Sequence, residues 1–257
     1  MSPKKDRIDR LLVERGLFES RAKAQAAIEA GLVRADERQV RKASDEVAVD
    51  AALQASAAHP YVSRGGVKLA AALDHFGFDP KGRICLDVGS STGGFTHVLL
   101  ERGATKVYAV DVGRGQLHAS LRARSDVVSL EETDIRNVSP ARLGEAPNLV
   151  TIDVSFISLK LVLPAALALA TAPAQLVALI KPQFEAGRAA VKKGVVRDAA
   201  VHAAVCARIA DFVASLGWRA STRCWSPSRK ARSAASAPMC CRRCPTCLLY
   251  TSDAADE

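Results

Sequence analysis

RICLDVGSSTGGFTHVLLERGATKVYAVDV, residues 83–112, is the stretch that decides the fold. Arg83 to Val88 is a short apolar run of strand length, and Gly89, Gly93 and Gly94 mark the turn that follows it. Thr96 to Arg102 has the apolar spacing of a helix, and Gly103 is placed to stop it. Lys106 to Asp111 is a second strand-like run. Strand, glycine turn, helix and strand make one crossover unit, the connection that parallel strands require. Val127 to Leu130, Leu149 to Asp153 and Leu176 to Ile180 repeat the pattern with helical segments between them. The alternation predicts an α/β fold, a parallel sheet with helices on both faces. Leu161 to Ile180 runs twenty residues without a charge, a length that could span a bilayer. Pro164, Pro173 and Gln175 interrupt it and it closes on LVALI, so it reads as a buried helix followed by a buried strand. No membrane partner is expected.

The glycine turn indicates the ligand. Gly89, Ser90, Ser91, Gly93, Gly94 and Phe95 form a strand-to-helix turn whose backbone N–H groups can approach a bound molecule closely. Asp111 follows Gly89 by 22 residues and ends the next strand, where a carboxylate can accept both ribose hydroxyls of a nucleoside. Thus far a dinucleotide and S-adenosylmethionine fit equally well. Asp87 sits just before the glycines, where a carboxylate suits a cationic, amino-acid-bearing ligand and opposes a pyrophosphate. The spacing also departs from G-x-G-x-x-G. S-adenosylmethionine is therefore the expected cofactor, and a nicotinamide-dependent dehydrogenase is disfavoured. Three further residues have positions suited to chemistry: Asp153 ends the fourth strand, Lys181 ends the fifth, and Lys68 lies near the start of a helix that Ser63 is expected to cap.

The chain has 257 residues, 49% of them hydrophobic and 25% charged, and carries a formal charge of +9. That excess points toward a polyanion partner. It is unevenly spread, because residues 1–60 hold 11 basic against 10 acidic side chains. Within them, Ile8, Leu11 and Leu12 line one helix face up to Gly16, and Ala24, Ala27 and Ile28 line a second, which Ser20 opens and Gly31 closes. Arg7, Arg10, Arg15, Arg21 and Lys23 are left on the outer faces. Leu32 to Arg34 and Val47 to Val49 read as small strands, with a turn at Asp36-Glu37, and Ala51 to Pro60 reads as a connector. Met1 to Arg10 is charged and no apolar segment of a secretory signal follows it. Only Cys85 and Cys206 precede residue 221, which fits a reducing compartment, and a cytoplasmic protein is expected.

The segment RIDRLLVERGLFESRAKAQAAIEAGLVRADERQVRKASDEVAV, residues 7–49, resembles an S4 RNA-binding domain. Residues 5 to about 219 as a whole resemble the TlyA, or hemolysin A, family, in which an S4 domain precedes an FtsJ-like ribosomal RNA 2′-O-methyltransferase with a Rossmann-like sheet. The matching strings are YVSRGGVKL, LDVGSSTGGFT, YAVDVGRGQL, TIDVSFISL, LIKPQFE and GVVRD. The resemblance implies domains at 1–60 and 61–219, and methylation of cytidine in small- and large-subunit ribosomal RNA or assembled subunits. It also implies a Lys-Asp-Lys-Glu tetrad, whose first three members match Lys68, Asp153 and Lys181. Lys181 would then be the base, with Lys68 and Asp153 orienting the hydroxyl. Asp134 joins the expected cofactor-binding residues. Arg64, Arg188, Lys192, Lys193 and Arg197 join the arginines and lysine of the first domain as candidates for RNA contact.

Beyond residue 219 the family pattern is lost. STRCWSPSRKARSAASAPMCCRRCPTCLLYTSDAADE has little apolar periodicity up to Thr246 and no acid before Asp253, so the tetrad glutamate has no counterpart. Codons that can encode Cys224 to Pro227 would, read one base upstream, give an apolar residue, Leu, Glu and Ser, and CLLYTSDAADE resembles translated sequencing adapter. Residues 220–257 are accordingly expected to be an out-of-frame, disordered tail, to leave the sheet's fifth strand as a bare edge, and to make the chain unstable or inactive. Cys241, Cys244 and Cys247 have the spacing of half a zinc site, but in such a segment no metal is expected. The readings weighed against a methyltransferase are an RNA-binding protein with a non-catalytic second domain and a membrane-active hemolysin.

Overall fold

The computed structural model describes residues 4–187, 191, 196, 198–225 and 246–251. The chain divides into two compact units, Met1–Pro60 and Tyr61–Glu257.

The first unit contains β1 (Lys5–Arg7), α1 (Ile8–Glu14), α2 (Arg21–Glu29), β2 (Val33–Ala35), β3 (Arg38–Gln39), β4 (Glu46–Ala48) and β5 (Leu53–Ala55). Ile8 and Leu12 of α1 meet Ala24, Ala27 and Ile28 of α2 in one apolar core. Gly16 follows α1 at φ +70°, a left-handed conformation that only glycine adopts without strain. Ser20 opens α2, its Oγ accepting from the Lys23 backbone N–H at 3.3 Å. β2 pairs antiparallel with β3 and β5, and β1 with β4. The β2–β3 hairpin closes through Asp36 and Glu37 at φ +45° and +66°, because a two-residue turn matched to strand twist needs positive φ at both positions. β5 lies in the alanine-rich stretch read as a connector. Leu53-Gln54-Ala55 carries almost no alternation, and its strand character comes from pairing with β2.

The second unit contains α3 (Gly65–Phe76), β6 (Ile84–Val88), α4 (Gly94–Glu101), β7 (Lys106–Val110), α5 (Ala119–Arg122), β8 (Val127–Leu130), α6 (Pro140–Leu143), β9 (Leu149–Ile152), α7 (Leu159–Ala168), β10 (Gln175–Ile180), α8 (Pro182–Glu185), α9 (Ala199–Ser215), β11 (Arg219–Trp225) and β12 (Thr246–Thr251). Its sheet has the order β11-β12-β10-β9-β6-β7-β8, with every neighbouring pair parallel. Strand residues alternate between two cores. Leu86, Val88, Val150 and Ile152 join α7 and α9 on one face, while Cys85, Leu149 and Val177 join α3 and α4 on the other. Burial on both faces is why these strands read as continuous apolar runs. The chain leaves β6 toward β7 and β8, then returns to lay β9 and β10 on its other side. The order reverses at β6, which opens a crevice at the carboxyl ends of β6 and β9.

Two local expectations are corrected. Ser63 does not cap α3: the helix begins at Gly65 with Arg64 in the cap position, and the Gly66 N–H meets the Ser63 carbonyl at 3.1 Å. The fifth strand of the sheet, β10, is not a bare edge. β12 pairs with it from Gln175↔Thr246 to Ile180↔Thr251, and β11 pairs with β12. TCLLYT is short, apolar and free of proline and glycine, and a strand's open row of N–H and C=O groups is a template for such a run.

Candidate active site

A cavity of about 540 Å³ opens at the carboxyl ends of β6, β7 and β9, lined by Gly89, Ser91, Asp111, Asp134, Asp153 and Phe156 among others. That volume is typical of a small-molecule site. The turn after β6 lies very close to β9. A Cβ on Gly89, at φ +80°, would lie 2.5 Å from the Asp153 carbonyl oxygen, so glycine is required by both conformation and space. Packing also holds Gly93, which stands at φ +95°, and Gly94 to glycine. A Cβ on the first would strike Leu117 and Leu121, and on the second the Ser63 hydroxyl. Phe95 belongs to the core between α3 and α4, and Ser90 is buried without lining the cavity.

The acids of the site fall into three environments. Asp111 ties the loops together, its Oδ2 accepting from the Ser91 N–H at 2.8 Å and its Oδ1 from the Gly113 N–H at 2.7 Å. Asp134 accepts from Arg136 Nη2 at 2.6 Å and from the Arg136 backbone N–H at 2.9 Å. The Arg136 guanidinium holds the Asp134 carboxyl below the usual carboxylate range. Asp87, expected to contact the cofactor directly or through water, points away from the cavity into the sheet–α4 layer and is wholly buried. It accepts from Thr96 Oγ1 at 2.7 Å and Thr151 Oγ1 at 3.0 Å. Burial pushes its carboxyl up to about 7, against the two threonine hydrogen bonds. Strand alternation explains the difference: Asp87 shares the face of Cys85, and the turn at Gly89 redirects only the chain beyond it.

Lys181 and Asp153 do come together. Lys181 Nζ lies 2.8 Å from Asp153 Oδ1 and donates to Ser155 Oγ at 2.7 Å. Glu185 secures the segment that carries the lysine, its Oε1 accepting from the Leu159 N–H at 2.7 Å and its Oε2 from the Ser158 hydroxyl at 2.6 Å. Lys68 is half-buried on α3 and does not line the cavity. Arg188, Lys192, Lys193, Arg197, Cys241 and Cys244 lie outside the described residues.

Phe156 is a site residue that the sequence reading missed. It is 86% exposed, stands at φ +64° and packs its ring 5.1 Å from Phe184 at the cavity wall. In sequence it passes for one more apolar residue before a helix. A bulky side chain held exposed in a strained conformation is common at functional sites, and its open face can stack on a nucleobase.

In the first unit, each of the five expected RNA-contacting cations has an internal partner. Arg7 and Arg21 both hold Asp9, Arg10 lies between Asp6 and Glu14, and Lys23 meets Glu19. Arg15 donates to the carbonyls of Val49 and Ala51. Arg64, in the second unit, is exposed at the start of α3.

A parallel sheet whose carboxyl edge carries a glycine turn, an acid-lined cavity and a lysine–aspartate pair has the form of a nucleoside-binding transferase. Residues 61–243 match the FtsJ-like methyltransferase model and residues 6–52 the S4 domain model. The chain belongs to the FtsJ-like methyltransferase family and carries an S4 domain ahead of the catalytic fold. It is 46% identical, over 82% of its length and 80% of the relative's, to the 16S/23S rRNA (cytidine-2′-O)-methyltransferase TlyA of Mycobacterium tuberculosis. It is 47% identical, over 88% of its length and 82% of the relative's, to the candidate rRNA methyltransferase YqxC of Bacillus subtilis. A solved structure from Streptococcus thermophilus, described as a hemolysin candidate, superposes with a TM-score of 0.65 at 41% identity, covering 83% of this chain and 79% of that one.

Proposed function

We propose that this chain methylates the ribose 2′-hydroxyl of ribosomal RNA, at cytidine in the small and large subunits, with S-adenosylmethionine as methyl donor. The observation that carries the reading is the pairing of Lys181 with Asp153, an acid that lines the cavity together with Asp111 and Asp134. The residues present fit the cofactor. Asp111, Asp134 and Asp153 face one cavity, a lining that favours a cationic amino-acid ligand and repels a polyphosphate. Asp111 is placed for the ribose and Gly89 for close backbone approach. When bound, S-adenosylmethionine supplies an electrophilic methyl group.

The protein's own residues prepare the nucleophile. A ribose hydroxyl attacks only as its proton leaves, and Lys181 is the residue we assign to accept that proton. Asp153, 2.8 Å away, compensates the ammonium that forms. Ser155 fixes the direction of the amine. Phe156 offers a face to the target base at the cavity mouth, which a base drawn out of its stack requires. The S4 domain supplies affinity for the RNA backbone, and the cytoplasm, where ribosomes are modified, is the site of action. Among the described residues no helix is long and apolar enough to cross a membrane.

No acid lies between Asp211 and Asp253, so the tetrad glutamate that the family resemblance implies has no counterpart there, and turnover by this chain is expected to be reduced or lost. Methyl transfer to ribosomal RNA with radiolabelled cofactor tests the proposal. Lys181→Ala is expected to lower the rate by about 10²–10⁴ while leaving cofactor affinity, read by calorimetry, near wild type. Cofactor binding with no 2′-O-methylation by the unaltered chain would instead assign it to RNA binding alone.

A further inference from the structure

We propose that Asp9 is a positioning residue for RNA, locking the Arg7 and Arg21 guanidiniums together as a preset clamp for backbone phosphate. The proposal rests on the reading that the S4 domain binds RNA.

Asp9 lies in the first turn of α1 and its side chain is fully sealed from solvent. Five N–H groups converge on it in the range 2.7–3.3 Å. Arg7 Nε and Nη2 reach Oδ1 and Oδ2 at 3.1 and 3.0 Å. Arg21 Nε and Nη2 reach Oδ2 at 3.2 and 2.7 Å, and Gln25 Nε2 reaches the same oxygen at 3.3 Å. The hydrogen bonds from Arg7, ahead of those from Arg21 and Gln25, hold the carboxyl well below the usual carboxylate range.

A carboxylate whose only task was to tie α1 to α2 would need one cation. Here two are recruited, so the cluster keeps a net positive charge. Both arginines remain exposed, at 43% and 53% of their side-chain area. Each guanidinium has five N–H donors, and Asp9 takes only the Nε hydrogen and one on Nη2. The Nη1 end of each is left for a second anion in the forked geometry that suits phosphate. The neighbouring cations are arranged differently, Arg10 lying between two acids and Lys23 on one. Fixing two long side chains before RNA arrives removes an ordering cost that binding would otherwise carry.

The test exploits a sign. Asp9→Asn in the full chain removes a negative charge from an RNA-binding surface, so unspecific electrostatics predicts tighter binding. Positioning predicts weaker binding, by about tenfold in Kd for transcribed ribosomal RNA. In a chain already carrying Arg7→Ala and Arg21→Ala, Asp9→Asn should then no longer weaken binding. A general loss of domain structure would persist in that background and would overturn the proposal. Should Asp9→Asn unfold the domain, the Arg7→Lys, Arg21→Lys chain provides the answer. It keeps both charges on Asp9 but loses the planar forks, and it is expected to bind about tenfold more weakly at unchanged thermal stability. Wild-type RNA affinity in that chain, or in Asp9→Asn, refutes the clamp. Wild-type affinity in the double alanine chain refutes RNA binding by these arginines altogether, a separate failure.

Discussion

Asp87 and Phe156 show how much a residue's meaning depends on what surrounds it. Burial holds the Asp87 carboxyl up at about 7, against 3.8 for an unperturbed carboxyl. The folded chain therefore keeps a proton that the unfolded chain releases, and stability falls as pH rises through that interval, staying low above it. Asp87→Asn removes the dependence. Thermal unfolding is expected to show the two chains nearly equal near pH 4 and the asparagine chain more stable near pH 8, by a few kcal/mol at most, roughly. A wild-type chain that gains on the variant as pH rises would mark Asp87 as an ionised cap. Phe156 is exposed, so Phe156→Ala should change the free energy of unfolding by no more than about 0.5 kcal/mol. Loss of a stacked base should raise KM for RNA about tenfold or more, measured in the methyl-transfer assay, with a smaller change in cofactor affinity.

At the scale of elements, apolar periodicity and caps were legible where they are local. Ser20 caps α2, Gly103 ends the turn after α4 at φ +83°, and five of the strands in the second unit lie where short apolar runs predict them. β3 and β5 were not legible, because two or three residues carry no period and owe their conformation to β2. Ser63 misled because its distance in sequence from α3 suits a cap while its hydroxyl sits against Gly94. Two substitutions test these elements. Gly89→Ala places a methyl group 2.5 Å from the Asp153 carbonyl oxygen in a left-handed conformation, and should cost about 1–3 kcal/mol of stability together with cofactor binding, read by denaturant melts and calorimetry. Glu37→Gly relieves positive φ in the β2–β3 turn and is expected to stabilise the chain by up to about 1 kcal/mol.

At the scale of the molecule, each unit has its own apolar core, so binding of RNA and binding of cofactor should be separable. A chain lacking residues 1–60 is expected to hold S-adenosylmethionine as the full chain does. Its affinity for ribosomal RNA should fall, with a slope of log affinity against log salt shallower by about 2 if Arg7 and Arg21 each neutralise a phosphate. Filter binding across a salt series reads both quantities. By itself, the sequence determined the class of fold, the order of the strands along the chain, the glycine turn and the acid and lysine that end β9 and β10, since all of these follow from short-range periodicity or from single charges that interrupt apolar runs. Only the tertiary structure decided that Asp87 faces the sheet layer, that Lys181 meets Asp153, that Phe156 stands exposed and that one buried aspartate gathers two arginines. Those outcomes depend on which strand faces and helix ends are brought together across many residues of chain, and contacts at that separation leave no period in the sequence.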